Sequence, residues 1–238
     1  NHEYERYGKY NLENWRLSYI KRIFSKLGIN KKSNGIYLDI GVGGSGYTVI
    51  EAARRNYKSV GIDISFEGAK KARNSAISQL GPKSNLCNFV VSQAENLPFK
   101  DNAITEISII AVLEHLVNDN HAISEITRVI KVLGNIFITV PNTYRRILPI
   151  FWLPYIIWDK KIGHLRHYKV EDLTFLMTEN GFHIREIQYS GHLIKMLQLI
   201  SSKIFPRINN KRSNVWWKFE EIDLRSKSPF GIQLSIIM

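Results

Sequence analysis

Four glycines, Gly41, Gly43, Gly44 and Gly46, crowd into six residues after an apolar run, Ile36 to Ile40, that carries one acid, Asp39. A helix from about Tyr47 to Arg55 follows. A strand that feeds a glycine-rich turn and a helix N-terminus lets the backbone approach a nucleotide-like ligand closely. About 20 residues further on, a second apolar strand, Ser59 to Ile62, ends in Asp63, where a carboxylate can accept from ribose hydroxyls. Strand, glycines, helix, strand and acid together read as a nucleotide-cofactor site.

A second group of residues carries acid–base potential. Glu114 and His115 follow the fourth apolar strand, where open α/β sheets bind ligands. His164, Arg166, His167 and Tyr168 lie in a long connection that should overhang the same crevice, and Tyr144, Arg145 and Arg146 begin it. Imidazole is suited to taking a proton near neutral pH, so His115 and His164 are the candidate catalytic bases. Glu114, Tyr144, Arg166 and Tyr168 are candidate substrate contacts. The bland alternatives are a structural histidine that orients a loop and a connection anchored to the sheet.

The elements that must position these residues alternate. A helix from Trp15 to Leu27 carries Leu17, Ile20, Ile23, Phe24 and Leu27 on one stripe. It reads either as cover for the sheet or as a flap that closes Tyr7, Tyr10 or Trp15 over a cofactor. Ser65 is an N-cap for a helix to about Leu80, stopped by Gly81-Pro82. Strands are expected at Asn88 to Val91, Ile104 to Ile110 and Ile136 to Val140. Between the last two, a helix from Asp119 to Val132 should turn Ile123, Ile126, Val129, Ile130 and Leu133 inward. A connection over 141–168, a helix from Val170 to Asn180, a strand from Phe182 to Tyr189, a helical stretch over 192–227 and a last strand from Ile232 to Ile237 complete the chain. Strands alternating with helices predict a parallel sheet covered on both faces.

The composition sets bounds. A chain of 238 residues can fill one α/β domain, with 35–140 as its cofactor-binding core. Lys and Arg outnumber Asp and Glu by 33 to 21, a formal charge of +12, which favours an anionic neighbour such as nucleic acid or a membrane surface. The single Cys87 excludes a disulfide framework and a Cys-based zinc cluster, and a reducing cytoplasm is the simplest home. No metal site is expected. No signal peptide, repeat or bilayer-length apolar run is visible, and a start at Asn1 rather than Met leaves room for an upstream beginning.

Four blocks in order resemble the class I S-adenosylmethionine-dependent methyltransferases of the methyltransferase-11 type. They are LDIGVGGSG (38–46), VGIDIS (60–65), AENLPFKDNA (94–103) with VLEHL (112–116), and ITRVIKVLGNIFITVPN (126–142). GHLRHY (163–168), followed by VEDL and ENGF, and the final SPFGIQLSII, reached through a helix bearing Glu220, are similar to segments of that family. The resemblance implies a doubly wound, Rossmann-like seven-stranded sheet, mostly parallel, with its last strand antiparallel. It also implies that Asp39, Gly41 and Gly43 form the floor under the methionine moiety of S-adenosyl-L-methionine, that Asp63 holds the ribose, and that Ile64 packs on the adenine. Gln93 stands where the family usually has Asp; its amide oxygen can still accept from the adenine amino group, without charge assistance. Ala94 lies beside it, and Ala111 would face the methionine end.

Gly41, Gly43 and Gly46 also spell GxGxxG, the fingerprint of a nicotinamide-dependent dehydrogenase. Asp39 argues against that reading, because its charge would repel a pyrophosphate, whereas S-adenosylmethionine has no phosphate and carries a cationic sulfonium. A non-catalytic binding module is the third reading, suggested by Gln93.

For the acceptor, AVLEHL is not the Asn/Asp-Pro-Pro-aromatic loop of base amino-group methylation, and Cys87 lies away from the expected site. A nucleic-acid acceptor therefore rests on the basic charge alone. FWLPYIIW (151–158) and the stretch 192–219, with Lys195, Lys203, Arg207, Lys211, Arg212, Trp216, Trp217 and Lys218, mix apolar and basic residues. They read as a lid and a cap packed together, or as surfaces that lie on an anionic membrane. A small-molecule or lipid-like acceptor, methylated at oxygen or nitrogen, is the favoured expectation.

Overall fold

The computed structural model describes residues 14–29, 35–144, 149, 152–191, 228 and 231–238. The expectations for Tyr7, Tyr10, Arg145, Arg146 and the 192–227 stretch with Glu220 lie outside the described residues.

Seven strands form one sheet: β1 (Ile36–Ile40), β2 (Lys58–Asp63), β3 (Cys87–Val91), β4 (Ile104–Ile110), β5 (Ile130–Pro141), β6 (Glu186–Ser190) and β7 (Gln233–Ile237). Their spatial order is β3-β2-β1-β4-β5-β7-β6. β1 through β5 pair in parallel, and β7 runs antiparallel to both neighbours. The chain winds outward from β1 to β3, then returns to the other side of β1 with β4. That reversal opens a crevice at the carboxyl ends of β1 and β4, the place where such sheets accept ligands.

Alternation along the strands separates two cores. Tyr37 faces α1 (Asn14–Leu27) and α2 (Tyr47–Arg54), packing with Ile20, Ile23, Phe24, Leu27, Val49 and Phe137. Leu38 and Ile40 face the other way. They meet α4 (Asp119–Val129) and α6 (Val170–Glu179) through Ile123, Ile126, Val129, Leu173 and Met177. α3 (Phe66–Leu80) begins where Ser65 Oγ accepts from the Gly68 amide at 3.1 Å, and α5 (Trp152–Ile162) lies in the long connection.

Several boundaries differ from the sequence reading. α4 ends at Val129, and Ile130 already belongs to β5. Ile104 pairs with Ile130 but Glu106 pairs with Asn135, so residues 131–134 bulge out of the ladder. Leu133 is therefore exposed, at 94%, rather than inward, and Val132 beside it is exposed as well. Gly134 permits the bulge: a Cβ there would meet Ile130 Cγ1 at 2.6 Å. β6 starts at Glu186 rather than Phe182, because Phe182 and Ile184 are used in packing against the core before the ladder with β7 begins. Cys87 opens β3 instead of preceding it, at the strand end remote from the crevice.

Candidate active site

The glycine loop is shaped by φ angles that side chains resist. Gly41 has φ +75°, and a Cβ on it would lie 2.3 Å from Val112 Cγ2, so only glycine brings β1 this close to the turn after β4. Its amide donates to the Ile62 carbonyl at 2.9 Å. Gly46 precedes α2 in the left-handed region as its N-cap residue.

Asp63 closes this loop from β2. Its Oδ2 accepts from the Gly43 amide at 2.8 Å and its Oδ1 from the Ser65 amide at 2.9 Å. A carboxylate oxygen can accept more than one hydrogen bond, so a ligand hydroxyl is compatible with these contacts. Asp39 lies beneath the loop, 5% exposed, accepting from the hydroxyls of Thr48 and Ser108. Because Ser108 gives its proton to Asp39, the Tyr37 hydroxyl donates to Ser108 Oγ, at 2.6 Å. Burial pushes the Asp39 carboxyl up to about 6, against the two hydroxyl bonds that favour its charge.

These residues wall a cavity of about 650 Å³. Asp39, Gly41, Gly43, Asp63, Ile64, Gln93, Ala94 and Ala111 all line it, as does His115. Ile64 is 69% exposed at its mouth, an apolar face available to a planar ligand. Ala111 has φ +55°, a strained setting for a residue with a Cβ, and its amide donates to Thr139 O at 3.0 Å. Tyr19 and Ile20 of α1 also line the cavity. The helix therefore both covers the sheet and reaches the site; the side chain of Trp15 lies outside the described residues.

Beyond Ala111, a 3₁₀ turn, Leu113–His115, places Glu114 and His115 side by side with opposite fates. His115 is exposed to the cavity, whereas Glu114 is 1% exposed and neither carboxylate oxygen has a hydrogen-bond partner among the described residues. Burial pushes the Glu114 carboxyl up to about 7, and Asp159 nearby adds to the rise.

The 163–168 segment is stitched to this turn. The Leu165 amide donates to the Glu114 carbonyl at 2.9 Å, and Arg166 Nη2 donates to Val117 O at 3.0 Å. His164 packs its ring edge-on to His115, centroids 4.9 Å apart, and its Nδ1 meets Asp159 Oδ1 at 2.6 Å. Asp159 also binds His167 Nε2 at 3.0 Å and the Tyr144 hydroxyl at 2.6 Å. Burial and the adjacent Asp159 push the Tyr144 phenol up to about 12, and burial pushes His167 down. Asp159 is thus the hub of the connection. Sequence reasoning missed it, since a lone acid within an apolar–basic run carries no motif.

Arg166 and Tyr168 turn away from the cavity. Arg166 Nη1 and the Tyr168 hydroxyl each reach Asp119 Oδ2 at 2.6 Å, pinning the connection to the start of α4. Burial alone would raise the Asp119 carboxyl, but these two bonds outweigh it and hold it below the usual range. Of the six proposed catalytic and substrate residues, only His115 lines the cavity; His164 stands behind it, Glu114 is buried in the turn beside it, and Tyr144, Arg166 and Tyr168 serve inside the connection.

Comparison with known proteins is consistent with this geometry. Residues 38–138 match the family model Methyltransf_11, described as a methyltransferase domain. The uncharacterized protein MJ1252 of Methanocaldococcus jannaschii is 35% identical over 114 residues, which is 48% of this chain and 39% of that protein. The chain thus spans well under half the length of this relative. Among solved structures, geranyl diphosphate C-methyltransferase of Streptomyces coelicolor A3(2), in complex with Mg2+, geranyl diphosphate and S-adenosyl-L-homocysteine, aligns with TM-score 0.69 at 15% identity over 93% of this chain and 78% of that one. The [4+2]-cyclase SpnF aligns with TM-score 0.67 at 18% identity over 97% and 83%. At these identities the structures speak for the fold alone.

Proposed function

Starting from residues 38–138 as a methyltransferase domain, we propose that the chain is an S-adenosyl-L-methionine-dependent methyltransferase acting on a small-molecule or lipid-like acceptor at oxygen or nitrogen. One observation carries the reading: the 650 Å³ cavity brings together the loop glycines, the buried Asp39 and Asp63 at the carboxyl ends of β1 and β2. With its carboxyl near 6, Asp39 is mostly ionised at neutral pH and repels a pyrophosphate, which disfavours a dinucleotide. A phosphate-free cationic cofactor suits it.

In methyl transfer the acceptor's lone pair attacks the methyl carbon in line with sulfur, and the carbon–sulfur bond breaks toward sulfur to give a neutral thioether. The leaving group is already activated, so the protein's work is positioning, exclusion of water and removal of the acceptor's proton. His115, on the cavity wall with His164 behind it, is the group set for that proton. The connection over 141–168 serves as the lid of one methyltransferase domain.

Calorimetric titration with S-adenosylmethionine, S-adenosylhomocysteine and NADH tests the cofactor. Binding of the first two supports the reading, and binding of NADH alone overturns it. Tight cofactor binding without turnover on any acceptor would move the weight to a non-catalytic module.

A membrane-facing variant of this reading has its own observation. On α5, Trp152, Leu153 and Ile157 are exposed, Leu153 at 69%, and Lys160 and Lys161 follow them. Apolar anchors beside ammonium groups suit an anionic lipid surface and a lipid-like acceptor drawn from it. No helix among the described residues is long and apolar enough to cross a membrane. Co-sedimentation with anionic liposomes that fades with salt is the expected result; nucleic-acid binding in its place would favour an RNA acceptor.

A further inference from the structure

We propose that Glu114, His115 and His164 together hold one divalent transition-metal cation at the edge of the cavity, a site the sequence reading did not expect. Each residue offers one donor atom, and the three atoms lie within 4.8 Å of one another. The gap between His164 Nε2 and Glu114 Oε1 is 3.8 Å. That is too long for a hydrogen bond and close to the ~3.4 Å edge of a tetrahedron whose metal–ligand bonds are about 2.1 Å. A small inward shift of either side chain closes it around an ion.

The second observation is the state of Glu114. A carboxylate that is 1% exposed, with both oxygens unbonded among the described residues, carries a large desolvation penalty, which an ion at the open gap would offset. The third is the orientation of His164. Asp159 Oδ1, 2.6 Å from Nδ1, accepts the ring proton there and sets the ring with Nε2 3.8 Å from Glu114 Oε1. His164 Nε2 and the Glu114 carboxylate then border one gap. A carboxylate that orients a histidine from behind is the usual outer support of a metal-bound imidazole. The neighbouring group of Asp159, His164 and His167 is different, because hydrogen bonds of 2.6 and 3.0 Å already close it.

Two imidazoles and one carboxylate select a borderline cation such as Zn2+, Co2+ or Mn2+ over Mg2+. Three protein ligands leave open positions on the side of His115, which lines the cavity. This role deepens the methyltransferase reading and rests on it. An acceptor hydroxyl bound at the open position becomes more acidic and loses its proton to solvent, its oxygen attacks the methyl carbon, and the carbon–sulfur pair leaves with sulfur. In the loaded protein the lone pairs of His115 and His164 are committed to the ion, so the cation takes over the task otherwise given to a histidine base.

The test is a titration of the chelator-stripped full chain with Zn2+, Co2+ and Mg2+, by calorimetry and by the visible absorption of bound Co2+. One equivalent of Zn2+ or Co2+ should bind, with Mg2+ much weaker. Glu114→Gln and His115→Ala should each weaken binding by about 100-fold or more, and Asp159→Asn by about 10- to 100-fold. His115 is exposed, so His115→Ala keeps the test decisive if Glu114→Gln fails to fold. Wild-type protein that binds no metal, or binds equally well in both ligand variants, overturns the site. S-adenosylhomocysteine titrated into the same samples reports separately on the methyl-transfer reading, which can fail while the metal site stands.

Discussion

The Gly43 amide donates to Asp63 Oδ2 at 2.8 Å, so the acid at the end of β2 holds the glycine loop as well as facing the cavity. Its other oxygen accepts from the Ser65 amide. Both oxygens are therefore needed as acceptors. Asp63→Ala should lower S-adenosylhomocysteine affinity by about 100-fold, since bonds to a charged acceptor contribute roughly 1.5–3 kcal/mol. Asp63→Asn should rescue little, because its NH2 would meet a backbone N–H. An Asn variant that binds like wild type would refute this coupling.

Gly41 faces Val112 in a similarly forced arrangement. Gly41→Ala must adopt φ +75° and place its Cβ 2.3 Å from Val112 Cγ2. We expect a loss of about 2–3 kcal/mol in urea-unfolding stability, from the left-handed backbone and the overlap together. The Gly41→Ala/Val112→Ala double variant should recover the overlap part and keep about 1 kcal/mol of backbone penalty. Strict additivity of the two substitutions would show that the contact is not the cause.

These two sites also mark how far the sequence could be read. The loop and Asp63 stood out because glycine spacing and a strand-terminal acid are local patterns, and the sheet followed from apolar runs alternating with helical stripes. Ile130 fitted both the helical stripe and the following strand, and only the pairing with Ile104 decides between them. Asp159 gave no local pattern; its partners Tyr144, His164 and His167 come together only once the chain turns back after α5. Arg166 and Tyr168 looked outward to substrate, yet Asp119, 47 and 49 residues away in sequence, captures both. Chemistry was visible residue by residue, and direction was not.

Glu106 gives the fold a pH signature separate from the active site. It is 5% exposed on β4, its Oε1 accepts from the Tyr57 hydroxyl at 3.4 Å, and Oε2 has no hydrogen-bond partner among the described residues. Burial raises its carboxyl from the ordinary 4.5 to about 7. A raised folded-state value means that the folded protein holds the proton longer than the unfolded chain. This group therefore lowers stability as pH rises from about 4.5 to about 7, and its effect levels off above that. Glu106→Gln removes the titration. The stability of the variant relative to wild type should climb by up to roughly 3 kcal/mol between pH 4.5 and pH 8, at about 1.4 kcal/mol for each pH unit that separates the folded and unfolded values. Urea melts at four pH values measure it, and a constant difference would sink the argument.

Asp119 Oδ2 accepts from both Tyr168 Oη and Arg166 Nη1, fastening the connection to α4 beside the turn that carries Glu114 and His115. Tyr168 is buried, so Asp119→Ala removes the charged acceptor of its phenol and leaves Leu113 O, at 3.3 Å, as the remaining one. Arg166 is partly solvated, which weakens its share. The expected loss is about 2 kcal/mol for Asp119→Ala, about 1 kcal/mol for Tyr168→Phe and less for Arg166→Ala. The functional consequence should run in the same order. Loosening this anchor frees the segment bearing His164, so turnover should fall while S-adenosylhomocysteine affinity, set by Asp63 and the glycine loop, stays near wild type. Hydrogen exchange over 163–168 provides the direct readout: protection should drop in Asp119→Ala and hardly change in Arg166→Ala. Unchanged protection in Asp119→Ala would mean that the connection is held by its packing rather than by this carboxylate.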